Sequence, residues 1–302
     1  MKSSIPTRTT VPSLLDRKNS KEKISVLTAY DFTMASLIDS AGIDIILVGD
    51  SLGCVIQGKT TTIGVELEEM IYHTKCVSKA IKNALLVADM PFMSYQISPE
   101  QAIESAGKLI KAGAAAVKLE GGVHMAKTVS RITEIDIPVM GHIGLTPQSY
   151  HRMGGNKVQG KSSGGGAGSR EKIIEDAVAL EKAGVFCIVI ESVPSDLAQE
   201  ITNLVSVPTI GIGAGAGCDG QVLVGQDMLG MCLDFSPRFL KRYAEIGITV
   251  KSAVSDFIKE VKEGVFPAKE HSFSSDPGAS NPNPVSHFDK KPIFGNAKSL
   301  KH

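Results

Sequence analysis

The sequence predicts an α/β protein built as a (β/α)8 TIM barrel. Eight short apolar runs recur along the chain, and helix-like stretches separate most of them. Because a crossover helix connects parallel strands and covers a face of the sheet, this alternation predicts a parallel sheet. Eight strand–helix units within roughly 250 residues match a closed barrel, whereas the alternative, a doubly wound sheet, normally uses fewer strands.

The eight predicted strands are short, apolar segments bounded by turn residues. They are ISVLTAY (24–30), IDIILVGD (43–50), ALLVADMPF (84–92), AAAVKLEGG (114–122), IPVMGHIG (137–144), VFCIVIES (185–192), VPTIGIGAG (207–215) and QVLVGQDML (221–229). Between the third and fourth, SPEQAIESAGKLIKAG begins with the capping residue Ser98 and ends at Gly113. SREKIIEDAVALEKAG repeats this scheme and ends at Gly184. These signals predict helices between the strands.

The chain predicts one catalytic domain with two flanking segments. The barrel is expected to occupy residues 21–273, after an N-terminal arm of residues 1–20. Residues 274–302 change to Ser, Pro, Asn and Lys, a composition typical of a disordered tail. The glycine-rich loop at 154–170 lacks the ending of a phosphate-binding P-loop and is interpreted as a lid or connector. GIGAGAG (211–217) does not fit the register of a dinucleotide loop.

The composition favours a protein that acts on small molecules. Basic and acidic residues balance at 32 each and form no long basic run, so nucleic-acid binding is not expected. No apolar stretch approaches the roughly 18 residues that a membrane-spanning helix needs, so no membrane association is expected. Five scattered cysteines without a C-x-x-C pair favour a reducing compartment. The predicted location is the cytoplasm.

Ionisable side chains end five consecutive predicted strands, from the second to the sixth. They are Asp50, Asp89, Lys118 with Glu120, His142 and Glu191, and Asp227 is interpreted in the same way at the end of the eighth predicted strand. Each alone has an ordinary explanation, such as a helix cap, a solvent-reaching lysine or a hydrogen-bonded core histidine. In a barrel, however, the carboxyl ends of all strands meet at one mouth. The pattern therefore predicts an active site there.

Three of these residues, Asp50, Asp89 and Glu120, predict a metal site. Carboxylates gather at low dielectric only when a cation offsets their repulsion. Oxygen-only donors, with no Cys or His at zinc spacing, favour Mg²⁺. Three protein ligands would leave about half of an octahedron open for a 2-oxo acid. Lys118 lies two residues before Glu120 on the same strand face, where it can neutralise the carboxylate of that substrate.

The ordered motifs resemble those of the ketopantoate hydroxymethyltransferase family. They are TAYD, LVGDSLG, QG, YHT, ADMPFMSY, VKLEGG, GHIGLTPQS, KVQG, ESVP, GIGAG and DG, and the resemblance ends at EHSF (270–273). It implies a barrel of the phosphoenolpyruvate/pyruvate type that uses Mg²⁺. It also implies 5,10-methylenetetrahydrofolate as the one-carbon donor and a homo-oligomer, often a decamer.

The resemblance also implies roles for individual residues. Asp50, Asp89 and Glu120 match the metal-associated acids, and Glu191 in ESVP matches the family's general base. The residues expected to contact the substrate are Asp50, Ser51, Asp89, Lys118 and His142. Two departures are visible: Ser192 stands where many members carry Cys, and the tail after Phe273 extends beyond the usual end.

The implied reaction starts from 3-methyl-2-oxobutanoate. Mg²⁺ stabilises the enolate that forms when Glu191 removes the C3 proton. The enolate attacks the folate-borne carbon and gives 2-dehydropantoate (ketopantoate), a precursor of pantothenate and coenzyme A. Two alternatives remain open. One is a metal-dependent carbon–carbon lyase of the same superfamily, although the K-K-C-G-H loop of such relatives is absent from this chain. The other is a non-catalytic binding barrel.

Overall fold

The computed structural model describes residues 8–161 and 168–273. Eight parallel strands form a closed barrel in sequence order, and the first strand pairs with the eighth. The predicted (β/α)8 architecture is confirmed. The predicted tail at 274–302, residues 1–7 of the arm and residues 162–167 of the glycine-rich loop lie outside the described residues.

The strands and helices alternate through most of the chain. The strands are β1 (Ile24–Thr28), β2 (Ile45–Val48), β3 (Leu85–Asp89), β4 (Ala116–Glu120), β5 (Val139–Gly144), β6 (Cys187–Glu191), β7 (Thr209–Ile212) and β8 (Gly220–Leu223). The helices are α1 (Val11–Ser20), α2 (Phe32–Ser40), α3 (Leu52–Val55), α4 (Leu67–Ser78), α5 (Pro99–Lys111), α6 (Ala126–Thr133), α7 (Tyr150–Met153), α8 (Arg170–Lys182), α9 (Ser195–Leu204), α10 (Gly225–Met228) and α11 (Ile246–Glu263).

The predicted caps of α5 are present in the structure. The Ser98 side chain accepts a hydrogen bond from the backbone N–H of Gln101 and so satisfies one free donor of the first turn. Gly113 follows the helix with a φ of +112°, a conformation that glycine adopts without the steric cost of a Cβ. Both signals could be read from the sequence because they depend only on neighbouring residues.

The eighth strand is shorter than the sequence pattern predicts. The apolar run continues to Leu229, but the strand ends at Leu223 and residues 225–228 turn into α10. The turn is tied to the end of β1, because Gly225 N–H donates to Thr28 Oγ1 at 3.0 Å. A Cβ at position 225 would lie 2.6 Å from the Thr28 carbonyl oxygen. Asp227 therefore lies on a short helix and not at the end of a strand.

Helix α1 closes the barrel at the amino ends of the strands. Leu14 of α1 belongs to the same buried cluster as Ile24 and Ile45 of the barrel strands. A capping box at Thr10 starts the helix. Ion pairs fasten its end to the barrel, with Arg17 to Asp44 and Lys18 to Asp219. The mouth at the carboxyl ends of the strands is left for a ligand.

The described residues divide after Gly247 into two compact units. The first unit contains the complete barrel. The second contains most of α11, none of whose side chains is buried. Along the parts of the chain that the structure describes, no helix combines the length and the hydropathy that crossing a membrane requires.

Candidate active site

The carboxyl ends of β2 to β6 place six ionisable side chains around one cavity. The cavity has a volume of about 180 Å³, and its ionisable lining includes Asp50, Asp89, Lys118, Glu120, His142 and Glu191. Strand register sets the neighbours: Asp89 lies opposite Lys118, and Glu120 lies opposite His142. Five of these residues are buried, whereas the side chain of Glu191 is 17% exposed. The structure thus brings together every residue that the strand ends predicted for the site.

Asp50 lies at the centre of the acidic part of the cavity. Its backbone N–H donates to Asp89 Oδ2 at 3.0 Å, and Asp50 Oδ2 accepts from Gln148 Nε2 at 2.9 Å. Burial, followed by the charges of Asp89 and Glu120, raises the pKa of Asp50 to about 8. Without a bound cation, this carboxyl group is therefore mostly protonated at neutral pH.

Lys118 pairs with a carboxylate of the protein itself, whereas the sequence predicted only that it would neutralise the carboxylate of the substrate. Its Nζ lies 2.9 Å from Asp89 Oδ1, and both side chains are buried. Burial lowers the pKa of Lys118, but the three surrounding carboxylates outweigh burial and raise it overall. Lys118 therefore stays charged. Asp89 is paired in this structure, so Asp50 and Glu120 are the acids without a lysine partner.

His142 lies between two carboxylates from neighbouring strands. Its Nε2 is 3.1 Å from Glu191 Oε2, and its Nδ1 is 3.5 Å from Glu120 Oε1. Burial and the Lys118 charge act to lower the pKa of His142, but the contacts with Glu120 and Glu191 raise it overall to about 9. The imidazolium that results forms an ion pair with the Glu191 carboxylate.

Two residues that link the acids were not predicted from the sequence. Gln148 donates from its backbone N–H to Glu120 Oε2 at 2.9 Å, in addition to its bond to Asp50. The Tyr95 hydroxyl donates to Gln148 Oε1 at 2.6 Å and accepts the Glu120 N–H at 3.1 Å. Tyr95 lies in the loop after β3, and Gln148 lies in a short 3-10 helix after β5. The only sequence signal was their presence in the motifs ADMPFMSY and GHIGLTPQS.

Ser51 presents its hydroxyl group at the same cavity. Its Oγ lies 2.8 Å from the hydroxyl oxygen of Tyr30, which is buried. Gly49 makes this arrangement possible, because a Cβ at that position would lie 2.7 Å from Ser51 Oγ. Burial raises the pKa of Tyr30, so its phenol remains a hydrogen-bonding group and does not ionise near neutral pH.

The donor atoms suit a hard divalent cation, although the structure does not show an assembled ligand set. Five carboxyl groups and two side-chain cations, Lys118 and His142, line the cavity, and Glu120 Oε1 is buried without a hydrogen bond from any described residue. Uncompensated carboxylate oxygens are the donors that Mg²⁺ takes. Among the described residues, however, no three His, Cys, Asp or Glu side chains converge in metal-ligating geometry. To bind a metal ion, Asp89 would have to give up its ion pair with Lys118.

Comparison with known proteins identifies the same family that the sequence motifs resemble. A family model described as ketopantoate hydroxymethyltransferase matches residues 8–269. A Pelobacter propionicus protein named 3-methyl-2-oxobutanoate hydroxymethyltransferase is 53% identical over 268 residues, which cover 88% of this chain and 98% of that protein. A protein of the same name from Clostridium beijerinckii is 54% identical over 270 residues, which cover 89% of this chain and 97% of that protein.

Solved structures support the fold alone, since their sequence identity is low. A phosphonopyruvate hydrolase superposes with a TM-score of 0.58 at 12% identity, covering 88% of this chain and 92% of that one. A 2,3-dimethylmalate lyase, described as a PEP mutase/isocitrate lyase superfamily member, gives a TM-score of 0.56 at 16% identity, with 90% and 93% covered. These likenesses show that the chain shares the barrel fold of both proteins.

The close relatives also confirm the predicted enzyme class, a hydroxymethyltransferase that acts in pantothenate biosynthesis. The ordered motifs, the closed barrel and the polar residues at its mouth agree with this class. The chain belongs to the ketopantoate hydroxymethyltransferase family.

Proposed function

We propose that this barrel transfers the hydroxymethyl group of 5,10-methylenetetrahydrofolate to 3-methyl-2-oxobutanoate and so forms ketopantoate. The observation that carries the proposal is the position of Glu191. It is a partly accessible carboxylate held by His142 at the rim of a cavity that also contains the charged Lys118. A base beside a site for a small anionic substrate is the arrangement that proton removal from a 2-oxo acid needs.

The 2-oxo acid is proposed to bind with its carboxylate toward Lys118 and Ser51. Lys118 is buried and charged, and Ser51 offers a hydroxyl donor in the same cavity. Asp89 and His142 border the same space, so both are placed to contact the substrate. A cavity of about 180 Å³ suits a five-carbon acid better than a large ligand. The flexible lysine stem allows its ammonium group to move from Asp89 to the substrate.

Asp50, Asp89 and Glu120 are proposed to hold Mg²⁺. All three contribute only oxygen donors, and two of them lack a lysine partner. When bound there, the ion would polarise the keto oxygen and make the C3 proton more acidic. Gln148 hydrogen-bonds both Asp50 and Glu120 and would fix the orientation of these two ligands.

Glu191 is proposed to remove the C3 proton of the bound acid. Its Oε2 lies 3.1 Å from His142 Nε2, and this contact orients the carboxylate. The resulting C3 carbon nucleophile forms a bond to the methylene carbon of the folate. Water supplies the hydroxyl oxygen, and tetrahydrofolate leaves. The relatives' shared name supports this reaction over the lyase and the non-catalytic barrel, and no described residue specifically favours either of those alternatives.

Mg²⁺ binding is expected to release protons at neutral pH. Because the pKa of Asp50 in the metal-free protein is about 8, a metal ion must displace its proton below that pH. The apparent affinity should therefore rise with pH, by about tenfold per unit, and level off above about 8. Titration calorimetry at pH 7 in two buffers of different ionisation enthalpy should show about one proton released. At pH 9 the release should fall, and a buffer-independent heat at pH 7 would argue against the coupling.

We also propose that the chain self-associates as a homodecamer. The support lies in the second unit, where α11 exposes apolar side chains at helical spacing. They are Ile248, Val250, Val254, Phe257, Ile258 and Val261. An exposed apolar stripe of this length is typical of a protein interface.

Light scattering is expected to give a mass of ten chains for the wild type. Replacing Phe257 and Ile258 by serine should lower that mass, because burial of apolar surface would no longer favour association. Lys259→Gln, on the same exposed helix, is the matched control and should leave the mass unchanged. A monomeric wild type would contradict self-association, and a different multiple would contradict the decamer.

We propose the cytoplasm as the location of the enzyme. All five cysteines of the chain are free thiols in the structure. Free thiols persist in a reducing compartment.

A further inference from the structure

Asp227 is a buried carboxyl group to which the proposed reaction gives no role. It lies on α10 with 7% of its surface exposed. Within the described part of the chain, Asp227 Oδ1 has no hydrogen-bond partner. A buried acceptor that lacks a partner carries a desolvation cost unless a ligand supplies the donor. The structure therefore places an unused acceptor at the mouth of the barrel.

This carboxyl group faces a second, larger cavity. The cavity has a volume of about 620 Å³, within the usual range for sites that bind organic ligands. Ser51, Glu191 and Asp227 line both this cavity and the smaller one of about 180 Å³. A ligand in the larger cavity would thus lie directly beside the proposed base and the 2-oxo acid.

Aromatic side chains form part of the walls of the larger cavity. Tyr150, Phe235 and Phe239 line it together with Asp227. The segment that carries Phe235 is fixed by Arg242, whose guanidinium donates to the carbonyl oxygens of Cys232, Leu233 and Phe235 at 3.0–3.1 Å. This segment of the wall is therefore held in place, and aromatic rings suit a ligand that carries a planar ring.

We propose that the larger cavity binds the pterin ring of the one-carbon donor and that Asp227 recognises the donor edge of that ring. This inference rests on the proposed function. A 2-amino-4-oxopterin carries two adjacent N–H donors, the ring N3–H and the 2-amino group. Two parallel N–H···O bonds to one carboxylate form a bidentate pair, which fixes orientation as well as affinity. Asp227 is thus a binding and positioning residue for the donor.

A third cavity provides the competing location. It has a volume of about 490 Å³ and is lined by Glu120, Arg152, Lys172 and Asp176. Glu191 does not line it, so a ligand there would not lie beside the proposed base. Asp176 is also already engaged, because its Oδ1 accepts the Val123 N–H at 2.9 Å. The larger cavity at Asp227 fits the donor better.

Asp227→Asn and Asp227→Ala test the proposal. Both should raise the KM for 5,10-methylenetetrahydrofolate and the Kd for tetrahydrofolate by roughly 10–100-fold, because a charge-assisted pair is lost. Metal-dependent exchange of the C3 proton of 3-methyl-2-oxobutanoate in D₂O, measured at a saturating concentration of tetrahydrofolate, should be reduced far less than the affinity for tetrahydrofolate. Asp234→Asn, an exposed aspartate seven residues further along the chain, is the control and should leave both constants unchanged.

A ligand change gives the same test without altering the protein. The wild type should bind tetrahydrofolate more tightly than its 2-desamino analogue by a similar factor, and Asp227→Ala should lose this discrimination. Equal binding of the two ligands by the wild type would overturn the inference. It would also be overturned if Asp176→Asn weakened tetrahydrofolate binding and Asp227→Asn did not. Loss of C3 exchange in Asp227→Asn would place the residue in the acid–base cluster and also overturn it. A wild type that forms no ketopantoate would instead contradict the proposed function.

Discussion

Glu191→Gln is expected to lower the rate of ketopantoate formation by roughly 10²–10⁴, the usual contribution of a positioned general base. Glutamine keeps the shape of the side chain and a polar contact for His142, but it cannot accept the C3 proton. Binding of 3-methyl-2-oxobutanoate should change little, since Lys118 and Ser51 are the residues proposed to hold its carboxylate. Steady-state kinetics should therefore show a lower kcat with a nearly unchanged KM for the 2-oxo acid.

Glu104→Gln is the matched control for this variant. Glu104 lies on α5, pairs with Lys108 at 2.8 Å and is exposed, so its replacement should leave both constants unchanged. A Glu191→Gln enzyme that turns over at the wild-type rate would refute the role of Glu191. His142, 3.1 Å from Glu191, would then be the next residue to test.

Asp50→Ala is expected to reduce the affinity for Mg²⁺ by at least about 100-fold, with a comparable loss of turnover at limiting metal. Loss of a residue that only orients a ligand already costs roughly 10–100-fold in metal affinity, and Asp50 is proposed to be a ligand itself. Calorimetric titration of the variant with Mg²⁺ and 3-methyl-2-oxobutanoate measures the effect.

The metal-free Asp50→Ala protein should keep its fold. Burial and the charges of Asp89 and Glu120 raise the pKa of Asp50 above its value in the unfolded chain. The native state therefore loses stability as the pH rises above that unfolded-state pKa, because the buried carboxyl group must then ionise. Removing it relieves that cost and loses one hydrogen bond from Gln148. Thermal unfolding without metal should therefore show no large decrease in Tm. A folded variant with wild-type Mg²⁺ affinity would contradict the ligand assignment.

The barrel and the convergence of its polar residues could be predicted because both depend on local patterns. A buried strand reads as a short, mostly apolar run that ends at an ionisable residue, as at Asp89 and Glu120. Closure of the sheet then brings these strand ends together, independently of the conformations of the loops. The helix caps at Ser98 and Gly113 were visible for the same local reason.

Features that depend on contacts between distant segments could not be predicted. The bond from Gln148 to Asp50 joins residues 98 positions apart, and the pairing of Lys118 with Asp89 depends on strand register. The end of β8 was placed too late, because an apolar run cannot distinguish a strand from the buried helix that follows it. Asp227 consequently looked like a strand end, and its unpartnered oxygen became visible only in the structure.

Solvent deuterium exchange tests most directly the claim that this barrel removes the C3 proton of 3-methyl-2-oxobutanoate. The wild-type protein in D₂O, with Mg²⁺ and with tetrahydrofolate as a folate that carries no transferable carbon, should cause the C3 proton signal to disappear from the NMR spectrum. Chelation of the metal should stop the exchange, and Glu191→Gln should slow it by roughly 10²–10⁴. A C3 proton signal that persists with wild-type protein, Mg²⁺ and tetrahydrofolate all present would contradict the account.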